Sequence, residues 1–278
     1  MKKSKFLQIG IIFIMISVIF SIPVFATSSF EMSDVVGYPE DIGVDDFTLE
    51  LETSPTVGVI RPDVVEGDME NIIIIIALAD QDPIIPQRFL DQIEYRFNTS
   101  TRSLARYMEA ASGGLVTVNS TVIGSEDDLT IVYQDGYYTR GHLLPYDPDT
   151  NPNGYRTLTE GRTRRRELLE RAVRSVENHP LLEDKTLDTQ RLGFVDSVTF
   201  IVRGLADSRS VLWMHKGNLA TPNSEGVYLN GIRVDDYSFL LEGNPASLSA
   251  MSTAVIIHEH LHIFSFLQFP GMFHLKLK

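Results

Sequence analysis

The chain has no cysteine, one tryptophan and only seven histidines in 278 residues. Without cysteine there is no disulfide framework, no thiolate metal ligand and no thiol nucleophile. An exported protein built this way must draw its stability from a sizeable core or from bound metal. Basic residues are also scarce, 24 against 37 acidic ones, which leaves a net charge of −13. Such a surface repels phosphate backbones, so nucleic acid is excluded as a partner. No internal repeat is visible, and 43% apolar with 22% charged residues fits a globular protein.

The longest apolar stretch stands at the N-terminus. Lys2, Lys3 and Lys5 precede a run from Phe6 to Phe20, and Val24-Phe25-Ala26 offers small residues before a cut. Residues 1–26 therefore read as a secretory signal peptide. Gly10, Ser17, Ser21 and Pro23 weaken the stretch as a membrane span. Losing three lysines takes the net charge to −16. The expectation is a secreted bacterial protein, Gram-positive, that meets a membrane only if the peptide stays uncleaved. Anchoring at the cell surface is the alternative. Residues 27–69 are acidic with scattered proline and glycine, as in a pro-segment or linker with little to bury.

At Asn71 the character changes, and residues 70–278 are expected to form the folded domain. "NIIIIIALAD" is a continuous β-branched run, the pattern of a strand covered on both faces. Helical periodicity follows over Pro86–Phe97 and Thr101–Ala111, stopped by Gly113-Gly114. "LVTVNSTVIG", "LTIVYQ", "FVDSVTFIVRG" and "GVYLNGIRVDDYSFL" read as strands or a hairpin. "RRRELLERAVRSVENHP" reads as a helix with Leu169, Ala172, Val173 and Val176 on its apolar side. The last helix is expected to start at Asn244-Pro245 and to run to about Phe266. Alternating strands and helices predict an α/β (α+β) architecture, a mixed or mostly parallel sheet with helices on it.

"VIIHEHLHIFSF", residues 255–266, holds three histidines within five positions. On a helix, positions i and i+4 share a face, so His258 and His262 form a pair. Glu259 lies one step round, within reach of a metal-held water. Two neutral imidazoles on adjacent turns suit Zn²⁺ at about 2.0–2.1 Å, and the glutamate is placed to take a proton. This is the H-E-x-x-H pattern of zinc peptidases. His260 is offset by about 200° at 100° per residue, so it is a packing residue and not a ligand. The apolar flanks predict a helix buried nearly all round, and a core helix with merely hydrogen-bonded histidines is the bland alternative.

Three weaker signals stand beside it. Asp147, Asp149, Asn151 and Asn153 alternate as the oxygens of a Ca²⁺ loop do, but Pro152 and Leu158 sit where such a loop wants glycine and glutamate. Arg162 with Arg164, Arg165 and Arg166 is a processing site, an acid-binding patch or a solvated face. Trp213, Met214 and His215 line a cleft or end a packed strand.

Several stretches in order resemble the secreted metallopeptidases of the immune inhibitor A type. "NIIIIIALAD" is similar to their first buried strand. "TRSLARYMEAASGGLVTVNSTVIG" resembles their helix with a Tyr…Ser-x-Gly signature, here Tyr107, Ser112 and Gly114. "FVDSVTFIVRG", "VLWMHKG" and "IHEHLHIFSF" resemble the closing strand, the Trp-x-His segment and the zinc helix. The resemblance spans residues 70–266 and implies a zincin-like fold: a mixed twisted sheet, a backing helix and an active-site helix. It also implies Zn²⁺-dependent cleavage of a protein or peptide substrate, often with bound Ca²⁺. Carried over, His258 and His262 match the zinc ligands and Glu259 the general base. The family continues with glycine and then Pro-Asp, that Asp being the third ligand. Here Ser265, Leu267 and Gln268 stand at those positions. Gln268 is a neutral amide and a weak zinc ligand; His274 is a better donor, with Pro270-Gly271 to turn the chain, and His215 is a distant third candidate. The family's C-terminal subdomain is largely missing, so a truncated chain with impaired activity is expected. A catalytically inactive zincin-fold binding protein is the competing reading.

Overall fold

The computed structural model describes residues 66–219, 225–243 and 251–264. The expected signal peptide, most of the pro-segment, and positions 265, 267, 268 and 274 lie outside the described residues. So does the expected helix start at Asn244-Pro245.

The centre is β1 (Gly67–Ala77), which opens before the expected Asn71. Parallel partners flank it, β2 (Val116–Ile123) on one side and β4 (Ser197–Val202) on the other. The short β3 (Tyr133–Gln134) pairs with its C-terminal end. The antiparallel β5 (His215–Asn218) closes the order β2-β1-β4-β8-β5, with β8 (Asp236–Leu241) beside it. The sheet is mixed, as expected. A separate hairpin joins β6 (Tyr228–Leu229) to β7 (Ile232–Arg233). Its turn, Asn230-Gly231, takes φ of 46° and 78°, the left-handed pair that a two-residue hairpin needs.

Helices cover both faces, which is why the isoleucine run has no polar side. Ile72, Ile74 and Ile76 pack with Phe200 and Phe239 against Leu169 and Val173 of α3 (Leu158–Ser175). Ile73 and Ile75 point the other way, toward α1 (Gln87–Glu94), α2 (Leu104–Ala111) and α4 (Thr253–Phe264). Burying each isoleucine contributes roughly 1.5–3 kcal/mol, so the double-sided strand is a large contributor to stability.

The helix limits differ from the sequence expectation for identifiable reasons. The first helix does not run on in α form to Phe97. It loosens into a π turn at Tyr95–Thr99, and Ser103 restarts the chain by accepting the Arg106 N–H. α3 begins at Leu158, before the arginines, because Thr157 accepts the Glu160 N–H. Gly161 hid this first turn, since glycine disfavours a helix interior. It is there because the Tyr155 ring lies across it; an added Cβ would sit 2.8 Å from Tyr155 Cδ1. "LTIVYQ" contributes only two strand residues, while Ile131 makes an isolated bridge to Ile84. The glycine stop after α2 holds: Gly114, at φ 85°, donates its N–H to the Glu109 carbonyl.

Gly161→Ala therefore opposes two effects. Helix propensity alone favours alanine by about 1 kcal/mol. The clash with Tyr155 and Val211 outweighs it, and a net loss of about 1–3 kcal/mol is expected in urea unfolding. A stabilised variant would show that Tyr155 does not pack on α3 in this way.

Candidate metal centre

α4 carries the histidines. Ser252 precedes its described span Thr253–Phe264, accepting the Val255 N–H on its hydroxyl and the Ile256 N–H on its carbonyl. Arg96, in the π turn, donates to the Met251 carbonyl and pins the approach. The helix is not buried all round. Ile256, Glu259, His260, Ile263 and Phe264 face inward, while Ala254, His258 and His262 are exposed.

The inward face explains the setting. His260 is fully buried and meets a row of polar side chains crossing the sheet. Its Nδ1 donates to the Ile256 carbonyl at 2.8 Å, and its Nε2 lies 3.1 Å from the Thr199 hydroxyl. The Asn71 amide bridges Thr199 at 2.9 Å and Ser120 at 3.1 Å. Ser238 Oγ lies 3.5 Å from Nδ1, and Phe97 meets the ring edge-on at 6.0 Å. Burial holds the His260 pKa down to about 4, so the ring is neutral at ordinary pH. The reading of His260 as a packing residue agrees with this placement.

With His260 turned in, the i, i+4 geometry turns His258 and His262 out together. Their Nε2 atoms lie 3.1 Å apart and their ring planes cross at 85°. Two Zn–N bonds of about 2.05 Å at a tetrahedral angle span about 3.3 Å, so the pair has the bite of a chelate. His262 is less basic than an ordinary histidine, through burial and then through His258 and Lys216. Glu259 leans back against β5, where the Lys216 backbone N–H donates to its carboxylate; burial raises its pKa, opposed by His258. The helix thus carries a buried carboxylate and an exposed imidazole pair on different sides.

The other donors are elsewhere. His215 sits on the opposite face of the sheet, its ring 5.0 Å from Phe239 and 5.9 Å from Tyr237, with Nδ1 donating to the Trp213 carbonyl at 2.7 Å. The alternation of β5 sends Lys216, not His215, toward α4, so His215 is excluded as third ligand. Among the described residues no group of three His, Cys, Asp or Glu side chains is placed to hold a metal ion. In the suspected calcium loop, Asp147 Oδ1 accepts the Asp149 and Thr150 N–H groups, and the Asn151 amide donates to the Gly141 and Pro145 carbonyls. Those bonds brace the turn through Asp147 and Asn151, two of the four alternating residues. Of the four arginines, Arg162 is exposed, while Arg164 holds the His142 and Asn153 carbonyls and Arg165 reaches the Val211 carbonyl.

One feature was illegible beforehand. A cleft opens at the C-terminal end of α4, lined by Ile263, Phe264, Met69, Phe194, Asp188 and Asp196 among others. It gathers residues far apart in the chain, and no local pattern marks it. Asp196 spends its carboxylate on Thr189 and the Glu70 N–H, and Asp188 on the Leu192 and Gly193 N–H groups. Among the described residues no helix is long and apolar enough to cross a membrane. No protein-family model matches the chain, and no curated protein matches it.

Two outcomes are expected. His260→Ala leaves the polar row without its partner and should cost roughly 2–4 kcal/mol in urea unfolding, with zinc binding largely kept; zinc lost as completely as in His258→Ala would contradict the assignment. Burial holds His215 neutral in the folded chain down to about pH 3, against 6.5 for an ordinary histidine. The unfolded chain thus takes up that proton first, and stability falls as pH drops from 6.5 toward 3. His215→Phe should flatten the fall in melting temperature between pH 7.5 and 5. An unchanged slope would mean that His215 is not held neutral.

Proposed function

We propose that this chain is an exported, zincin-like zinc-dependent endopeptidase in which His258 and His262 hold the metal and Glu259 is the general base. The observation that carries the reading is the 3.1 Å separation of the two outward Nε2 atoms, with Glu259 the next residue after His258 in the helix. Two neutral imidazoles fit Zn²⁺ in kind and in spacing. Zinc, when bound, polarises a carbonyl and makes water acidic near pH 7.

The chain's own residues supply the rest. Glu259 receives a proton from the attacking water and returns it to the departing amine. Its partial burial suits that exchange, because burial raises the carboxylate's affinity for a proton. The Lys216 N–H keeps its carboxylate oriented toward β5. Beyond β8, β5 pairs with no other strand among the described residues. An extended peptide laid along that outer edge would bring its carbonyls past the histidine pair. A metal-binding protein without turnover is the second reading, favoured by the lack of a third side-chain donor among the described residues.

Glu259→Gln separates the two. Turnover of an unfolded protein substrate should fall by at least about 10²–10⁴-fold while zinc stays bound, because the amide keeps the shape but accepts no proton. Near-normal proteolysis by that variant would overturn the mechanism. Wild-type chain that binds zinc yet cleaves nothing would favour the second reading.

A further inference from the structure

We propose that Asp196 is a proton-operated latch: as a neutral acid it ties the loop of residues 188–193 to the start of β1, and on ionising it weakens that tie.

The latch follows from a count of protons. The Thr189 hydroxyl lies 2.8 Å from Asp196 Oδ2 and 2.9 Å from the Asp68 carbonyl oxygen. A hydroxyl has one proton, whereas a carbonyl and an ionised carboxylate only accept. With Asp196 ionised, one of the two contacts holds no proton, and lone pairs face each other there. With Asp196 protonated, its Oδ2–H donates to Thr189 Oγ1, whose own proton goes to the Asp68 carbonyl. Both contacts are then bonded. Oδ1 accepts the Thr189 N–H at 2.9 Å in either state, and the Glu70 N–H reaches Oδ2 at the longer distance of 3.2 Å.

The surroundings act in the same direction. Burial raises the Asp196 pKa from 3.8 to about 6, opposed by the bonds from Thr189 and Glu70 and reinforced by Asp188. The other charged neighbours are engaged with partners of their own. On β1, Glu70 pairs with Lys185 at 3.0 Å and Asp68 accepts the Thr117 hydroxyl. Asp235 and Asp236 line the same cleft, Asp236 meeting Lys216 at 2.5 Å. β7 brings Arg233, whose carbonyl accepts the Val195 N–H, and the loop brings Arg191. α4 contributes Ile263 and Phe264, which carry no charge.

The tied segment is a strained turn. Asp188 accepts the Leu192 and Gly193 N–H groups, and Arg191 stands at φ 55°, a conformation that a bulky residue keeps only where its surroundings hold it. Thr189 and Gln190 fasten the turn to β1, the Gln190 amide donating to the Glu66 carbonyl at 2.7 Å. Asp188, Gln190 and Leu192 also form one wall of the cleft at the end of α4. A folded-state pKa above the ordinary value gives stability that is complete below about pH 4 and lost as pH rises through 6. The turn is therefore tight in acid, and it and the cleft wall loosen toward neutral pH.

NMR on the full chain tests this in two ways. The Asp196 carboxyl carbon should titrate with a midpoint near pH 6. Amide exchange of residues 189–193, corrected for its intrinsic pH dependence, should show opening that rises about tenfold from pH 5 to 7.5, as a shift from 3.8 to about 6 requires. In Asp196→Asn, where no proton is gained or lost, opening should be the same at both pH values. A midpoint at or below pH 4 would overturn the latch, whether or not the variant folds. So would equal opening at pH 5 and 7.5 in the unaltered chain, or a tenfold rise that survives in Asp196→Asn.

Discussion

A buried imidazole sets the geometry of the whole site. His260 reaches from α4 into a polar row formed by Thr199, Asn71 and Ser120, on three neighbouring strands. An apolar helix on an apolar sheet could rotate or slide at little cost. A single neutral ring that must satisfy a buried hydroxyl cannot, because unmade buried hydrogen bonds cost about 1–3 kcal/mol each. The choice of which histidine turns inward therefore decides which two turn outward. It also decides that Glu259 falls against β5 and not into water. The row lies on the face of β1 that carries Ile73 and Ile75, so the most buried strand also anchors the helix.

Much of the frame was legible in local pattern. The isoleucine run marked a strand buried on both faces, because no polar alternation was left for solvent. The apolar stripe of α3, the glycine stop after α2 and the pairing of His258 with His262 are consequences of fixed helical periods. What stayed hidden depends on partners distant in sequence. The first turn of α3 was masked by Gly161, whose value lies in the ring of Tyr155. The inward turn of Arg164 and Arg165 depends on loop carbonyls at His142, Asn153 and Val211. His215 was a plausible donor by residue type. The pleat of β5 puts it across the sheet from the pair, a fact of register that no motif records.

The same division applies to the chemistry. Residue type and spacing identify two imidazoles and a carboxylate as candidates. Only three dimensions show that the imidazoles share a bite and that the carboxylate is held by the Lys216 backbone. The two proposed roles need opposite environments. Metal ligands must be reachable, and His258 and His262 are exposed. A base must be partly dry, and Glu259 is buried. Adjacent positions on a helix lie about 100° apart, so neighbours meet both conditions when the helix sits at the boundary between sheet and solvent.

The central claim is that the outward histidine pair is a zinc site. Anomalous diffraction from zinc-soaked crystals, collected above and below the zinc edge, tests it most directly. The account predicts one strong peak within bonding distance of Nε2 of both His258 and His262. A peak at His260, at His215 or at the Asp147 loop, or no peak while the pair is accessible, would contradict it.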